Sequence, residues 1–451
     1  MLSSIFAVFV KASPISVMMR GVMEYIFRPQ RLDEIFESHA KLQYSRELLF
    51  SSLVNLLSLV VCRIHPSVSA AYKAKAEELN VSRAAVYQKL NGVEIGVSAA
   101  LVRETASELG QLIQQMGGQQ PPLLPGYQVR ILDGNALAAT DHRLQVLRTV
   151  AGAPLPGKSL VVLDPQLRIA VDIFPCEDGH AQERRLFGQV LASVQPGQLW
   201  IADRNMCTLD FLGGIAQRQS AFVIREHQNL PWQALSELQS VAVVEAGELL
   251  EQEIEIEYQG HALKLRRIVL RLSKPTRHGD SEIVVLTNLP ETVASAEVVS
   301  QLYRERWQVE ALFLTVTTNF ECEIETLAYP KAALFSFSLA LVTYNIMATL
   351  RAALASVHGV EEVEAALSDY YVVDEIQGIY RGMMIAIPPE HWQFFSVMSL
   401  AELAVLLKQL AAQVNLKRFL KQPRKSKTKA PPRVKDPKHP HVSTARLLSR
   451  S

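Results

Sequence analysis

A chain of 451 residues is longer than one hydrophobic core usually serves, so two or three structural units are expected. Apolar residues make up 49% and charged residues 20%, a balance that excludes a disordered chain, and a formal net charge of +1 singles out no partner. Cys62, Cys176, Cys207 and Cys322 lie far apart without a CxxC pair, which argues against a disulfide framework or a zinc site and fits reduced thiols.

Met1 to Val10 is apolar, but no basic segment precedes it and no small-residue cleavage site follows. We therefore expect a cytoplasmic protein. Arg31 to Met116 reads as helical, dominated by alanine, leucine and glutamate. Leu48 to Cys62 within it is interrupted by Ser51, Ser52, Asn55 and Ser58 and is shorter than the roughly 20 residues of a membrane span, so it is expected to be a buried helix, with no membrane partner. Glu77 to Gly92, EELNVSRAAVYQKLNG, places a break at Asn80 and Ser82 between two short helices in the manner of a helix-turn-helix. Arg83, Tyr87, Gln88 and Lys89 would suit a recognition helix; a plain helical hairpin is the bland alternative.

Gly117, Gly118, Pro121, Pro122 and Pro125 close the helical region. Tyr127–Leu132, Leu160–Leu163, Ile169–Phe174 and Leu199–Ala202 then read as strands, with helices at Ala181–Val194 and Cys207–Arg218 and a further strand at Ala221–Arg225. That order implies an α/β layer with a mixed sheet. Glu251–Tyr258, Ala262–Leu272 and Ile283–Asn288 alternate with period two, as a β-rich insertion would. Helical pattern returns at Ala294–Leu314, at Tyr329–Ala355, which is nearly free of charge and so expected inside, and at Glu361–Gln413. The closing stretch carries Lys417, Arg418, Lys421, Arg424, Lys425, Lys427, Lys429, Arg433, Lys435 and Lys438 against one acid, Asp436. Taken alone, such a run is a solvated tail.

Three carboxylates stand where an element fixes them: Asp133 at the end of YQVRILDGN, Asp203 at the end of LWIADRN, and Glu310 in the helix YRERWQVEALF. Singly, each aspartate is a turn former, as Asp164 before Pro165 is expected to be, while Asp172 is expected to face out of its strand. Together they suit hard divalent cations, which take carboxylate oxygens. Tyr303, Arg306 and Glu310 are three and four residues apart and so share one helix face; an internal Arg306–Glu310 ion pair is the bland reading of that spacing. Trp232 and Trp307 are candidates to stack on an unstacked base, with core packing the more ordinary expectation. His142, His180 and Cys207 lack metal-ligand spacing and are taken as structural.

LDGNALAATDHRL, IADRNMC, PTRHGDSEIVVLTNLP and YRERWQVEALF, in that order, resemble the DDE transposases of the insertion-sequence-four family, over about residues 125–350. The last stretch is the most specific, since Tyr303, Arg306 and Glu310 fall in register with that family's Tyr, Arg, Glu and Lys signature. Its lysine position holds Thr317, which can hydrogen-bond a phosphate but cannot neutralise it, leaving Arg306 or Arg304 as the candidates to compensate.

The resemblance implies an RNase H-like core, formed from residues 121–225 and 293–355, with the β-rich insertion (226–292) ahead of the glutamate helix. An all-helical N-terminal unit for DNA binding or pairing (1–120), C-terminal helices (356–415) and a basic tail (416–451), now a phosphate-binding arm, complete the chain. It implies that Asp133, Asp203 and Glu310 are catalytic and hold two Mg²⁺ or Mn²⁺ ions, and that Tyr303, Arg306, Arg304, Arg204, Asn205 and Trp307 contact DNA. It further implies a bacterial transposase that cleaves at terminal inverted repeats and joins the 3′ ends to target DNA, acting as a homodimer on paired ends. A relic that binds the ends without cutting is the main alternative, with Thr317 as its best support. A glycosidase using two carboxylates suits the basic tail and the Tyr-Arg-Glu helix far less well.

Overall fold

A computed structural model describes residues 3–43, 47–276, 279–422 and 441–449. Its strands are β1 (Gln128–Ala136), β2 (Pro154–Leu155), β3 (Lys158–Asp164), β4 (Ile169–Cys176), β5 (Gln198–Ala202), β6 (Ala221–Arg225), β7 (Gln233–Ala234), β8 (Gln239–Val244), β9 (Gly247–Tyr258), β10 (His261–Leu272), β11 (Glu282–Thr287) and β12 (Val442–Ser443). Ten of them form one mixed sheet in the order β4-β3-β1-β5-β6-β11-β10-β9-β7, with β8 also paired to β9. β5 runs parallel to β1 and β6 parallel to β5, while β3, β4 and the strands beyond β6 pair antiparallel. The α/β layer with a mixed sheet is as the sequence led us to expect. The β-rich segment does not stand apart: β11 pairs with β6 and carries the same sheet outward.

The period-two alternation of each strand divides the core. Val129, Ile131, Val161, Leu163, Ile201 and Val223 face one side, in a continuous apolar cluster shared with the helices Ile95–Met116 and Pro330–His358. Leu132, Leu160, Val162, Trp200, Phe222 and Ile224 face the other, against the helices Phe187–Ser193 and Leu209–Gln217. Side chains of this size contribute about 2–3 kcal/mol each on full burial. Pro330–His358 is long and apolar enough to cross a membrane, but its most apolar stretch is 94% buried within the protein. It is a core helix, as its lack of charge suggested.

β4 is the last strand at its end of the sheet, yet it is buried. Asn345 of the core helix supplies what a neighbouring strand would: its Oδ1 accepts from Ala170 N–H at 2.7 Å, and its Nδ2 donates to the Ala170 carbonyl at 2.8 Å. Asp172 does not face solvent, contrary to the sequence reading; it is 8% exposed and pairs with Arg103 of Ile95–Met116, because a helix covers this face of β4. Asp164 is the turn former expected, accepting from the Gln166 and Leu167 N–H groups, and also pairs with Arg130.

Leu48–Cys62 folds as the buried helix Phe50–Val61. Val68–Leu79 and Arg83–Gly92 form two helices joined through Asn80 in the left-handed conformation, so the predicted pair is present. At the other end of the chain, β12 pairs with β2, and Arg446 lies 2.7 Å from Asp178. Of the basic run, Lys417, Arg418 and Lys421 are described, and Arg424 to Lys438 lie outside the described residues.

Candidate active site

β1 and β5 lie side by side with Leu132 opposite Ala202, so the next residue of each, Asp133 and Asp203, starts from adjacent positions at one edge of the sheet. Asp133 is not at a strand end as read from sequence. β1 continues through Gly134–Ala136, because those residues pair with Leu160, Ser159 and Lys158 of β3. Asp203 ends β5 and caps the short helix Arg204–Met206, its Oδ1 accepting from Asn205 N–H at 2.9 Å.

The third carboxylate comes from the helix Trp307–Asn319. The sequence suggested one helix across Ala294–Leu314; the structure has Ala296–Arg304 and Trp307–Asn319, separated by a tightened turn in which Arg306 N–H bonds Tyr303 and Gln308 N–H bonds Glu305, each three residues back. The turn leaves Arg306 as a hinge between elements. Its Nη1 is 2.7 Å from Asp133 Oδ2 and its Nη2 2.5 Å from Glu310 Oε1, so one guanidinium fork spans two of the three carboxylates. The Arg306–Glu310 ion pair of the bland reading exists, but Arg306 also reaches across to the sheet.

Burial, opposed by Arg306 and the Gly134 N–H and reinforced by the negative charges of Asp203 and Glu310, pushes the Asp133 carboxyl up to about 6. Burial alone would lower Arg306, but Asp133, Tyr303 and Glu310 hold it above its ordinary value. Tyr303 is raised by burial and stands beside Arg306. Asp203 and Glu310 thus both lie within electrostatic reach of Asp133. Among the described residues no group of three His, Cys, Asp or Glu side chains is arranged to hold a metal ion, and the Arg306 fork bridges Asp133 and Glu310.

Sequence reasoning missed a fourth carboxylate. Glu183, on the turn Glu183–Leu186, is raised by burial and then by Asp203, and a Cβ at Gly134 would meet its Oε1 at 2.3 Å. Gly134 beside Asp133 is the signal in the sequence that points to it, since only a residue without a Cβ leaves room for Glu183 there.

Arg204, Asn205, Arg304 and Trp307 are exposed around this edge, Trp307 at 60% and Trp232 at 37%, so neither tryptophan is the core residue that was the ordinary expectation. Trp232 donates to Glu226 Oε1 and lies under Arg267. Thr317 turns its hydroxyl back to the Phe313 carbonyl at 2.9 Å. On the second helix of the helical pair, Lys89 packs over the Phe36 ring at 4.3 Å, and burial lowers its pKa. Arg83 and Tyr87 instead line an open groove with Ser69 and Arg143. His142 bonds the Gly152 carbonyl, and Cys207 is buried.

Asp203 from the end of β5 and Glu310 from one helix are thus both brought toward Asp133, which stands within β1 and is held by Arg306. Residues 126–346, just under half of the chain, match the family model of the transposase DDE domain. Among solved structures, the chain is similar to the piggyBac transposase synaptic complex with hairpin DNA, at 10% identity and a TM-score of 0.41 over 84% of each chain. Comparison with curated proteins finds no match.

Proposed function

We propose that this chain is the transposase of a bacterial insertion sequence of the insertion-sequence-four kind, with an RNase H-like core, and that it cuts DNA at terminal inverted repeats and joins the 3′ ends to target DNA. The observation that carries the reading is the approach of Asp203 and Glu310 to Asp133 within the stretch that matches the transposase DDE domain. The donor set is all carboxylate oxygen, as Mg²⁺ or Mn²⁺ requires, and it includes a half-buried Asp133 that a cation would relieve. These three residues would hold the ions. Two such ions, when bound, would activate the attacking oxygen and stabilise charge on the leaving one.

The chain's own residues supply the rest. Arg306, on turning from the carboxylates, would bring a planar fork to the scissile phosphate. Tyr303 beside it would orient that phosphate, and Arg304, Arg204, Asn205 and Trp307 would line the path of the strand, Trp307 offering a free aromatic face for a base. The Arg83, Tyr87 and Arg143 groove suits the backbone of the repeat farther along. Two ends joined to one target call for a homodimer. A bacterial enzyme of this kind would work in the cytoplasm, on the nucleoid.

The test is cleavage of a labelled duplex bearing the flanking inverted repeat in Mg²⁺ or Mn²⁺. Wild type should nick at the repeat boundary, while Asp203→Ala and Glu310→Ala bind it and leave it whole. If all three bind equally and none cuts under either metal, the binding-only relic stands instead. That second reading has its own observation: the signature lysine is Thr317, whose hydroxyl is committed to its own helix.

A further inference from the structure

The helix Phe50–Val61 is capped by Cys62, and Arg63 then turns to φ 58°. Glycine is the usual occupant of that left-handed position, because a Cβ there crowds the following carbonyl. Arginine occupies it here and commits its whole guanidinium to a distant part of the chain. Nη1 donates to the Thr318 carbonyl at 3.0 Å, Nη2 to the Phe320 carbonyl at 3.1 Å, and Nε lies 3.3 Å from Glu321 Oε2. A backbone bond reinforces the junction, Glu321 N–H donating to the Val61 carbonyl at 2.8 Å.

Thr318 and Phe320 close the helix Trp307–Asn319. The last carbonyls of a helix lack intrahelical donors and form the negative end of its macrodipole. A planar cation with several donors meets both needs at once. The helix is therefore held twice: at its start by Arg306 against Asp133, and at its end by Arg63 from the N-terminal helices. Glu310 lies between the two holds. Backbone strain at Arg63 is retained by the contacts that aim its fork.

We infer that Arg63 is a positioning residue: it clamps the far end of the Glu310 helix, so that the N-terminal helices set where the third carboxylate stands relative to Asp133 and Asp203. The inference rests on the reading that these carboxylates cut DNA, and its test separates the two. Arg63→Gly relieves the backbone and removes only the fork. In the intact protein, hydrogen exchange of the Thr315–Asn319 amides should rise about tenfold in this variant while Phe50–Val61 keeps its protection. In a Mn²⁺ titration, cleavage of the repeat-bearing duplex should need about tenfold more metal for half-maximal rate, with end binding within about twofold of wild type and Arg63→Lys in between. A purely structural role would lower melting temperature and end binding together and leave the metal midpoint in place. Unchanged amide exchange overturns the clamp; loosened amides with a wild-type midpoint overturn its role in positioning. A wild-type protein that never cuts sinks the DNA-cleavage reading, and the exchange data then decide the clamp alone.

Discussion

The two ends of the ten-stranded sheet are finished in opposite ways. At the β4 end, strands are covered on both faces, β3 reads as the near-continuous apolar run SLVVL, and the edge backbone is met by the Asn345 amide. At the far end, β7 and β8 lie on the outside of β9, and Val241 and Val243 are 49% and 82% exposed. The aspartates sit in the closed half, on β1 and at the end of β5. On the proposed reading, carboxylates that act together gain from strands whose position is fixed from both faces.

The sharpest break of this contrast is at the site. Asp203→Ala or Glu310→Ala should reduce cleavage to below about one thousandth of wild type, on the scale of losing a single transition-state stabiliser, with the melting temperature nearly unmoved. Next is the sealed edge: Asn345→Leu keeps the volume but strands the N–H and carbonyl of Ala170, and should lower stability by about 3 kcal/mol, read as a fall in urea midpoint. An unchanged midpoint would mean the amide is ornamental.

A smaller effect concerns the C-terminal return. Burial works the other way, but the Ser443 and Arg446 side chains and the His180 N–H hold the Asp178 carboxyl below its usual range. A carboxyl depressed in the folded state contributes stability above its unfolded pKa and loses it as pH falls through the folded value. Protection of the 442–448 amides relative to an unfolded chain at the same pH should therefore be high at pH 6 and fall below about pH 4, near the ordinary carboxylate value, in wild type. In Asp178→Asn it should be low at both. The smallest effect belongs to the open end, where Val243→Glu should change stability by less than about 0.5 kcal/mol in the same urea assay; a larger loss would show the open end to be covered.

What could be read from sequence follows the same division. The closed strands and the core helix are apolar runs with clear boundaries, and β9 alternates from Gln252 to Glu257, so these were legible. β7, β2 and β12 are two residues long, too short for any period, and β12 joins β2 across nearly 290 residues, a pairing that no local pattern encodes. Asp172 misled because its partner, Arg103, belongs to a helix far back in the chain. The turn at Glu305–Arg306 carries no glycine or proline to announce it, yet it lets one arginine reach both strand and helix. The three carboxylates were found through motif resemblance, whereas Glu183 was missed because it becomes a neighbour of Asp203 only when the sheet is folded.

The Asn345 amide also limits how this architecture can vary. A sheet edge closed by two atoms of one side chain has no room for another strand, since any addition beyond β4 must first displace the core helix. At the opposite edge β7 and the tip of β8 lie outermost, with Val243 82% exposed, so additions there meet no covering helix side chain. Sequence drift and insertions in descendants of this chain should therefore accumulate at the β7 and β8 end rather than beyond β4.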